Sequence, residues 1–571
     1  MSVLYYGYSD ANADERWQFW EQHRPPAISL DIETISLDER HPLGIAIGFS
    51  PQESFYFELS PNVPTKGLEA LKRFISDVRI TKVAHNWVFD MGVFPLIPVI
   101  GSALDRANIF DTNVAARLLG YQFTDLPFLA SEVVNMQTIG MAEILRSNNC
   151  KDNNQLIQKN PRALSDHCAD DVKATYGLYL EWKDKINQKL GEYFKVEMAV
   201  IPILQDLSMH GIALDQQARQ DLEDKYTQEV EFYRRQVQAS GIDNPGSSQQ
   251  VGFVLAKRGN FLKFTKSKRQ LQTRKEDLEF IDDPLAASIL GYRQKAKFLS
   301  TYLMPLKGQD RFYTEYYLDT VVGRLNSRNK NIQNIPGPDP ESGDPGARFM
   351  MMPDNSIFTT GDYSKEHLYI LAHMSQDREM LDVLYNPDKE KSDIHQHTAN
   401  LMRVPRKLAK ICNFAVIYGA TAQTLMEQLK TRDRARCETL LEDWFRVYTG
   451  AADWIQHAKR EGMRDGWALP TLFGRRIKVQ EEFNRWGGLN KDAMERKTIN
   501  YPILGSDGEV IKRAMILCNN RRLGPANGMA ITVHDSITWD GDVKDRIPVN
   551  ELEHIPGFRV PFEIKQTFRW E

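Results

Sequence analysis

The stretch Arg406-Lys407-Leu408-Ala409-Lys410-Ile411-Cys412-Asn413-Phe414-Ala415-Val416-Ile417-Tyr418-Gly419 reads as a helix. Arg406, Lys410, Phe414 and Tyr418 recur every four residues, so they form one stripe that drifts slowly round it. Two cations followed by two aromatics suit a nucleoside triphosphate. The cations meet phosphates, and the aromatics meet base and sugar. Taken alone, the helix fits a solvated basic turn followed by ordinary core aromatics better.

Two flanking segments change that balance. Thr360-Gly361-Asp362-Tyr363-Ser364-Lys365-Glu366-His367-Leu368 reads as a strand ending in a carboxylate, then a helix. By itself Asp362 there is equally a helix cap. Ile531-Thr532-Val533-His534-Asp535-Ser536-Ile537-Thr538 alternates apolar residues about a His-Asp tip, which predicts a hairpin presenting Asp535. Asp362 and Asp535 together can bracket two Mg²⁺ ions, the arrangement that phosphoryl transfer uses.

A second set of acids lies near the N-terminus. Ala27-Ile28-Ser29-Leu30-Asp31-Ile32-Glu33 predicts a strand with two carboxylates on one face. His85-Asn86-Trp87-Val88-Phe89-Asp90 adds a third acid after a short strand. His167-Cys168-Ala169-Asp170-Asp171 adds a fourth, with His167 and Asp171 on one helix face. Four hard oxygen donors suit Mg²⁺ or Mn²⁺.

This ordered set (D-I-E-T, N-x-x-F-D, H-x-x-x-D) resembles the exonuclease segments of the DEDD 3′→5′ exonuclease superfamily. The resemblance implies metal ligands at Asp31, Glu33, Asp90 and Asp171. Phe110-Asp111-Thr112 with Ala115 to Leu119 resembles a further helix of these domains. His167 stands where polymerase-attached members usually carry Tyr, and an imidazole there can orient or deprotonate a water.

The three later segments resemble motifs A, B and C of the family A, DNA polymerase I-like, DNA polymerases. Similar stretches run through ILQDLSMHGIALD (203–215), YRQKAKFLSTY (292–302), GRLNS (323–327), NIQNIP (331–336), GWALPTLFGRR (466–476), Glu495-Arg496 with Asn500, and Val560-Pro561-Phe562. They cover nearly all of residues 25–571. The implied fold is an α/β, RNase H-like exonuclease domain over 1–190, then a polymerase right hand over 191–571. The hand would have a helical thumb (about 195–310), an antiparallel-sheet palm (about 311–375 and 497–571) and helical fingers (about 376–496). No 5′-nuclease domain is expected before the exonuclease, whose first strand begins near residue 27.

Carried over residue by residue, Asp362 and Asp535 would hold metal, and Arg406 and Lys410 would bind triphosphate. Phe414 and Tyr418 would line the nucleotide pocket. Phe414 in place of Tyr implies discrimination against dideoxynucleotides. Arg324, Gln333, Asn334, Asn500 and His534 would touch primer–template. The implied function is templated addition of deoxynucleotides to a primer 3′ end, with proofreading and two Mg²⁺ or Mn²⁺ ions per site.

The departures are specific. Motif A reads D-Y-S-K-E-H-L-Y against D-Y-S-Q-I-E-L-R, so His367 replaces the Glu that closes the pocket against a ribose 2′-hydroxyl. Glu366 is turned by about 100° on a helix and cannot substitute. Motif C has Ser536 in place of Glu. Leu504 replaces Gln, and Ser506-Asp507-Gly508-Glu509 departs from T-A-A-D. These changes motivate an alternative, an exonuclease whose polymerase half is only a DNA-binding clamp. A single-subunit RNA polymerase is a third reading, opposed by the exonuclease segments and Phe414.

Composition is compatible with all three. The 571 residues are 42% hydrophobic and 26% charged, so wholesale disorder is excluded. A net charge of −4 excludes a uniformly basic nucleic-acid binder, not a basic groove. Lys257 to Lys275 (KRGNFLKFTKSKRQLQTRK) carries eight bases and no acid. Placed by resemblance in the thumb, with Lys266, Lys268 and Arg269 at its centre, it is the expected clamp on duplex backbone. Five scattered cysteines without a C-x-x-C pair argue against a cysteine zinc site and fit a reducing compartment. With no apolar run of about 18 residues and no secretory signal, a cytoplasmic monomer is expected.

Overall fold

The computed structural model describes residues 13–36, 39–59, 65–97, 99–265, 270–339, 343–388, 391–484 and 487–571. The expected DNA-contacting Lys266, Lys268 and Arg269 lie outside them. The chain divides into two compact units. One contains the chain up to Met209, with Glu315–Asn326 and Glu509–Ala526. The other contains His210–Thr314, Ser327–Gly508 and Asn527–Glu571.

The first unit is built on a five-stranded mixed sheet. Its strands are β1 (Ala27–Thr34), β2 (Pro42–Ser50), β3 (Glu53–Glu58), β4 (Thr81–Ala84) and β5 (Ile109–Asp111), in the order β3-β2-β1-β4-β5. β1 pairs antiparallel with β2 and parallel with β4. A strand flanked on both sides and covered on both faces must be apolar almost throughout. Ala27, Ile28, Leu30 and Ile32 are accordingly buried. The acids Asp31 and Glu33 alternate with them onto one half-buried face.

A helix from Pro161 to His210 lies against this sheet. Its approach is close because Gly48 has no side chain. A Cβ there would meet Ser29 Oγ at 2.3 Å and the Val172 carbonyl at 3.2 Å. Ser29 Oγ instead donates to that carbonyl at 2.6 Å. Cys168 and Val172 pack with Ala46 and Tyr56. The expected cut near residue 190 therefore falls inside a continuous helix, and the compact unit runs on to Met209. Two short helices, Leu126–Val134 and Met141–Ser147, precede that helix. Asn135 adopts a left-handed conformation (φ 53°) and stops the first. The buried Lys512 ammonium meets the Glu197 carboxylate in the same unit.

The second unit contains a four-stranded antiparallel sheet of β6 (Phe358–Tyr363), β7 (Met529–Val533), β8 (Ser536–Asp540) and β9 (Phe562–Thr567), in the order β7-β8-β6-β9. Helices Glu366–Ser375 and Arg406–Ile417 belong to it, with the Lys491–Gly508 part of helix Lys491–Asn520. The expected strand, Asp-Tyr-Ser, helix order and the His-Asp hairpin are both present. The hairpin tip is a left-handed turn, with His534 at φ 55°.

Candidate active sites

In the first unit the local structure brings four acids together. The buried Asp111 carboxylate accepts hydrogen bonds from four backbone N–H groups, those of Asn86, Trp87, Asn113 and Val114. It thereby fixes the starts of helices Trp87–Val93 and Thr112–Leu118. Helix Trp87–Val93 carries Asp90, whose Oδ1 accepts from the Ile32 N–H of β1 at 3.2 Å. Asp90 is thus tied to the strand that bears Asp31 and Glu33.

The Pro161–His210 helix supplies the rest. His167 Nε2 lies 3.5 Å from Glu33 Oε1 and 3.6 Å from Asp171 Oδ2. Asp171 Oδ1 is buried and has no hydrogen-bond partner among the described residues. Burial, followed by repulsion from Asp31, Asp171 and Asp90, raises Glu33 well above the usual carboxylate range. Burial and Asp31 do the same to Asp90 and Asp171. Burial lowers His167 below an ordinary imidazole, against the opposing pull of Asp31 and Asp170. Mutually repelling carboxylates with an unpartnered oxygen fit a divalent cation held through oxygen.

Two contacts were not anticipated from sequence. Cys168 Sγ donates to Asp31 Oδ2 at 3.0 Å, and Asn153 Nδ2 donates to Glu33 Oε2 at 3.0 Å. Asp31, Glu33 and Cys168 bring ligand atoms within 4.8 Å of one another. Burial, then Asp31 and Glu33, pushes the Cys168 thiol well up, which favours the protonated form that donates to Asp31. The adjacency of Cys168 to His167 was visible; its inward direction depended on helix phase. Nothing in its sequence neighbourhood marked Asn153.

In the second unit Asp362 stands on β6 opposite Ser536 of β8 and Glu563 of β9. The Tyr363 N–H donates to the Asp535 carbonyl at 3.2 Å, which brings the hairpin tip beside the end of β6. Ser536 Oγ donates to the Val533 carbonyl at 2.8 Å and so braces the turn. Burial, Asp362 and Asp507 push Asp535 up to about 7. Burial and Glu563 raise Asp362, while Lys565 opposes them. These two acids also fit a cation held through oxygen, on the same electrostatic ground.

The helix Arg406–Ile417 buries Ala409, Cys412, Asn413, Ala415 and Val416. Arg406 and Lys410 are exposed, Phe414 is half-buried, and Tyr418 is exposed at the helix end. The four-residue stripe is therefore on the open face, against the reading of its aromatics as ordinary core. Arg406 Nε donates to Asp393 Oδ2 at 2.8 Å. Asn413 holds the opposite face, accepting from Trp444 Nε1 at 2.7 Å and donating to His395 Nδ1 at 2.9 Å.

Tyr418 Oη lies 3.1 Å from His367 Nδ1, and His367 Nε2 lies 3.6 Å from Asp507 Oδ2. Asn500 Oδ1 is buried without a hydrogen-bond partner among the described residues. Gln333 is half-buried, and Asn334 and His534 are exposed. Arg324 is half-buried in the first unit. No helix among the described residues is long and apolar enough to cross a membrane.

Known proteins resemble both parts of the chain. Residues 12–187 match the model of a 3′-5′ exonuclease family. DNA polymerase I of Chloroflexus aurantiacus is 31% identical over 574 residues, covering 92% of this chain and 58% of that protein. DNA polymerase I of Treponema pallidum is 27% identical, covering 87% of this chain and 51% of that protein. The chain thus spans somewhat over half the length of these relatives. The POL domain of Pol1 from M. smegmatis, solved in complex with DNA primer-template and dNTP, has the same fold. Its TM-score is 0.77 at 20% identity, over 97% of this chain and 98% of that one. The model of DNA polymerase family A matches residues 216–552, more than half of the sequence, and the chain belongs to that family.

Proposed function

We propose that this chain is a DNA-templated DNA polymerase with a 3′→5′ proofreading exonuclease, acting on primer–template DNA and deoxynucleoside triphosphates. The observation that carries the reading is the presence of two separately built carboxylate centres, one in each compact unit. The exonuclease function is assigned to 1–190, a boundary within the helix that ends at His210, and the polymerase hand to 191–571, with thumb, palm and fingers as expected above.

Asp31, Glu33, Asp90 and Asp171 would hold two divalent ions, Mg²⁺ or Mn²⁺, in the exonuclease centre. Asp362 and Asp535 would hold two in the polymerase centre. When bound, such ions lower the pKa of an attacking water or primer 3′-hydroxyl and stabilise the leaving oxygen. The chain's own residues orient the reactants. Arg406 and Lys410 bind triphosphate oxygens. Phe414 and Tyr418 pack against base and sugar, and His367 occupies the space beside the sugar. Arg324, Gln333, Asn334, Asn500 and His534 contact primer–template. In the first unit His167 orients the attacking water and can accept its proton, a task helped by an imidazole held neutral.

Primer extension with four deoxynucleotides and Mg²⁺ tests the proposal. Templated extension, with degradation of the primer when nucleotides are withheld, is the expected result. Degradation without extension would favour the exonuclease-with-clamp alternative. Extension with ribonucleotides alone would favour an RNA polymerase.

A further inference from the structure

Two departures from the family pattern lie 140 positions apart in sequence: His367 in place of Glu, and Asp507 in T-A-A-D's second position. In space they face each other. His367 Nε2 is 3.6 Å from Asp507 Oδ2, and the Asp507 side chain is 1% exposed. The other ring nitrogen, Nδ1, is 3.1 Å from Tyr418 Oη. The ring stands perpendicular to the Tyr418 ring, at 89° and 6.0 Å between centroids. Three elements thus meet at one imidazole: the first turn of helix Glu366–Ser375, the end of helix Arg406–Ile417 and helix Lys491–Asn520.

We propose that Asp507 is a positioning residue that clamps the His367 ring, so that His367 and Asp507 together form the gate that excludes a ribose 2′-hydroxyl. The inference rests on the reading of His367 as the residue beside the sugar. An unrestrained imidazole has two side-chain torsions and can swing away, so it excludes a hydroxyl poorly. A hydrogen bond at Nδ1 and a buried carboxylate 3.6 Å from Nε2 together restrict its orientation. The pair also conserves local charge. A carboxylate missing at 367 reappears at 507, on the far side of the ring.

The position of Asp507 is itself fixed by its helix. Ser506 Oγ donates to the Pro502 carbonyl at 2.6 Å and accepts from the Leu472 N–H at 2.9 Å. Gly505 allows this close approach, since a Cβ there would meet Ile477 and Thr471 at 2.8 Å. The chain from 471 to 477 is thereby packed on the turn that carries Asp507.

The test compares kcat/KM for a deoxynucleotide and its ribonucleotide opposite the same template base, in wild type, Asp507→Ala, Asp507→Asn, His367→Ala and the Asp507→Ala/His367→Ala double variant. A wild-type thermal melt of the whole chain, with both unfolding transitions retained, reports folding of the unit that carries the substitutions, and Asn keeps the volume of Asp should Ala prove unstable. Asp507→Ala is expected to lower the deoxy-to-ribo ratio about tenfold, chiefly through a lower KM for the ribonucleotide. The double variant should fall no further than His367→Ala, because the carboxylate bears on the sugar only through the ring and any effect on Asp535 is common to both nucleotides. An unchanged ratio in both Asp507 variants, or additive losses in the double variant, would overturn the clamp. An unchanged ratio in His367→Ala would instead overturn the underlying reading of His367.

Discussion

The two carboxylate centres are built on opposite principles. In the first unit four acids converge from a strand and two helices; burial raises all four, neighbouring acids raise Glu33, Asp90 and Asp171 further, and Cys168 and His167 pull Asp31 down. In the second, one acid sits near the end of a strand and the other at the tip of the adjacent hairpin, and Asp507 also raises Asp535. The difference follows from what each substrate would bring. A triphosphate supplies oxygens of its own to a cation, so one or two carboxylates suffice. A single phosphodiester supplies few, so the protein must provide most of the ligands.

If that contrast is right, the two centres separate cleanly by mutation. Asp362→Ala or Asp535→Ala should cut primer extension by several kcal/mol of transition-state stabilisation, roughly 10³-fold or more, and leave degradation in place. Asp31→Ala should do the reverse. Single-turnover assays of both activities on each variant measure it. Loss of both activities in a folded Asp31→Ala protein would contradict two independent sites.

The contrast also predicts where metal stabilises the fold. Adding Mg²⁺ to metal-free protein should raise the urea midpoint, because it relieves repulsion among the four buried acids. At a concentration about 100 times the Kd the gain is about 2.7 kcal/mol. Asp31→Asn should abolish most of that gain. Asp362→Asn should keep it, since the polymerase centre would need a nucleotide to complete its ligand set. An equal Mg²⁺ response in the two variants would remove the distinction between the centres.

Much of both centres was readable in the sequence because their ligands sit on regular elements. Period-two spacing put Asp31 and Glu33 on one face, and four-residue spacing joined His167 to Asp171 and Arg406 to Tyr418. The supporting groups were not readable in this way. Asn153 reaches Glu33 across 120 residues, and Asp507 reaches His367 across 140. Such contacts depend on how elements pack, which no local period encodes. The expected domain boundary at residue 190 falls inside a helix for a related reason. The polar Lys189 and Glu192, with Gly191 between them, weaken the apolar pattern there, yet the helix continues.

Histidines extend the contrast to acid. In metal-free protein the first unit's raised carboxylates bind protons more readily when folded. Their contribution to stability is present at low pH and lost as pH rises through the raised values. His395 in the second unit acts in the opposite sense. It is 3% exposed, and its Nδ1 accepts from Asn413 Nδ2. Burial pushes it down from 6.5 to about 4; Asp393 opposes the shift, while Lys365, Lys410 and Arg406 assist it. Between those values the unfolded chain takes up a proton that the folded state refuses. Stability from this group is therefore full above pH 6.5 and declines as pH falls towards 4. Urea midpoints of wild type and His395→Gln, measured from pH 7.5 to 4, should converge on acidification as the wild type loses its advantage. Parallel curves would mean that His395 takes up its proton without cost, and that the packing beneath the Arg406–Ile417 helix tolerates a charge.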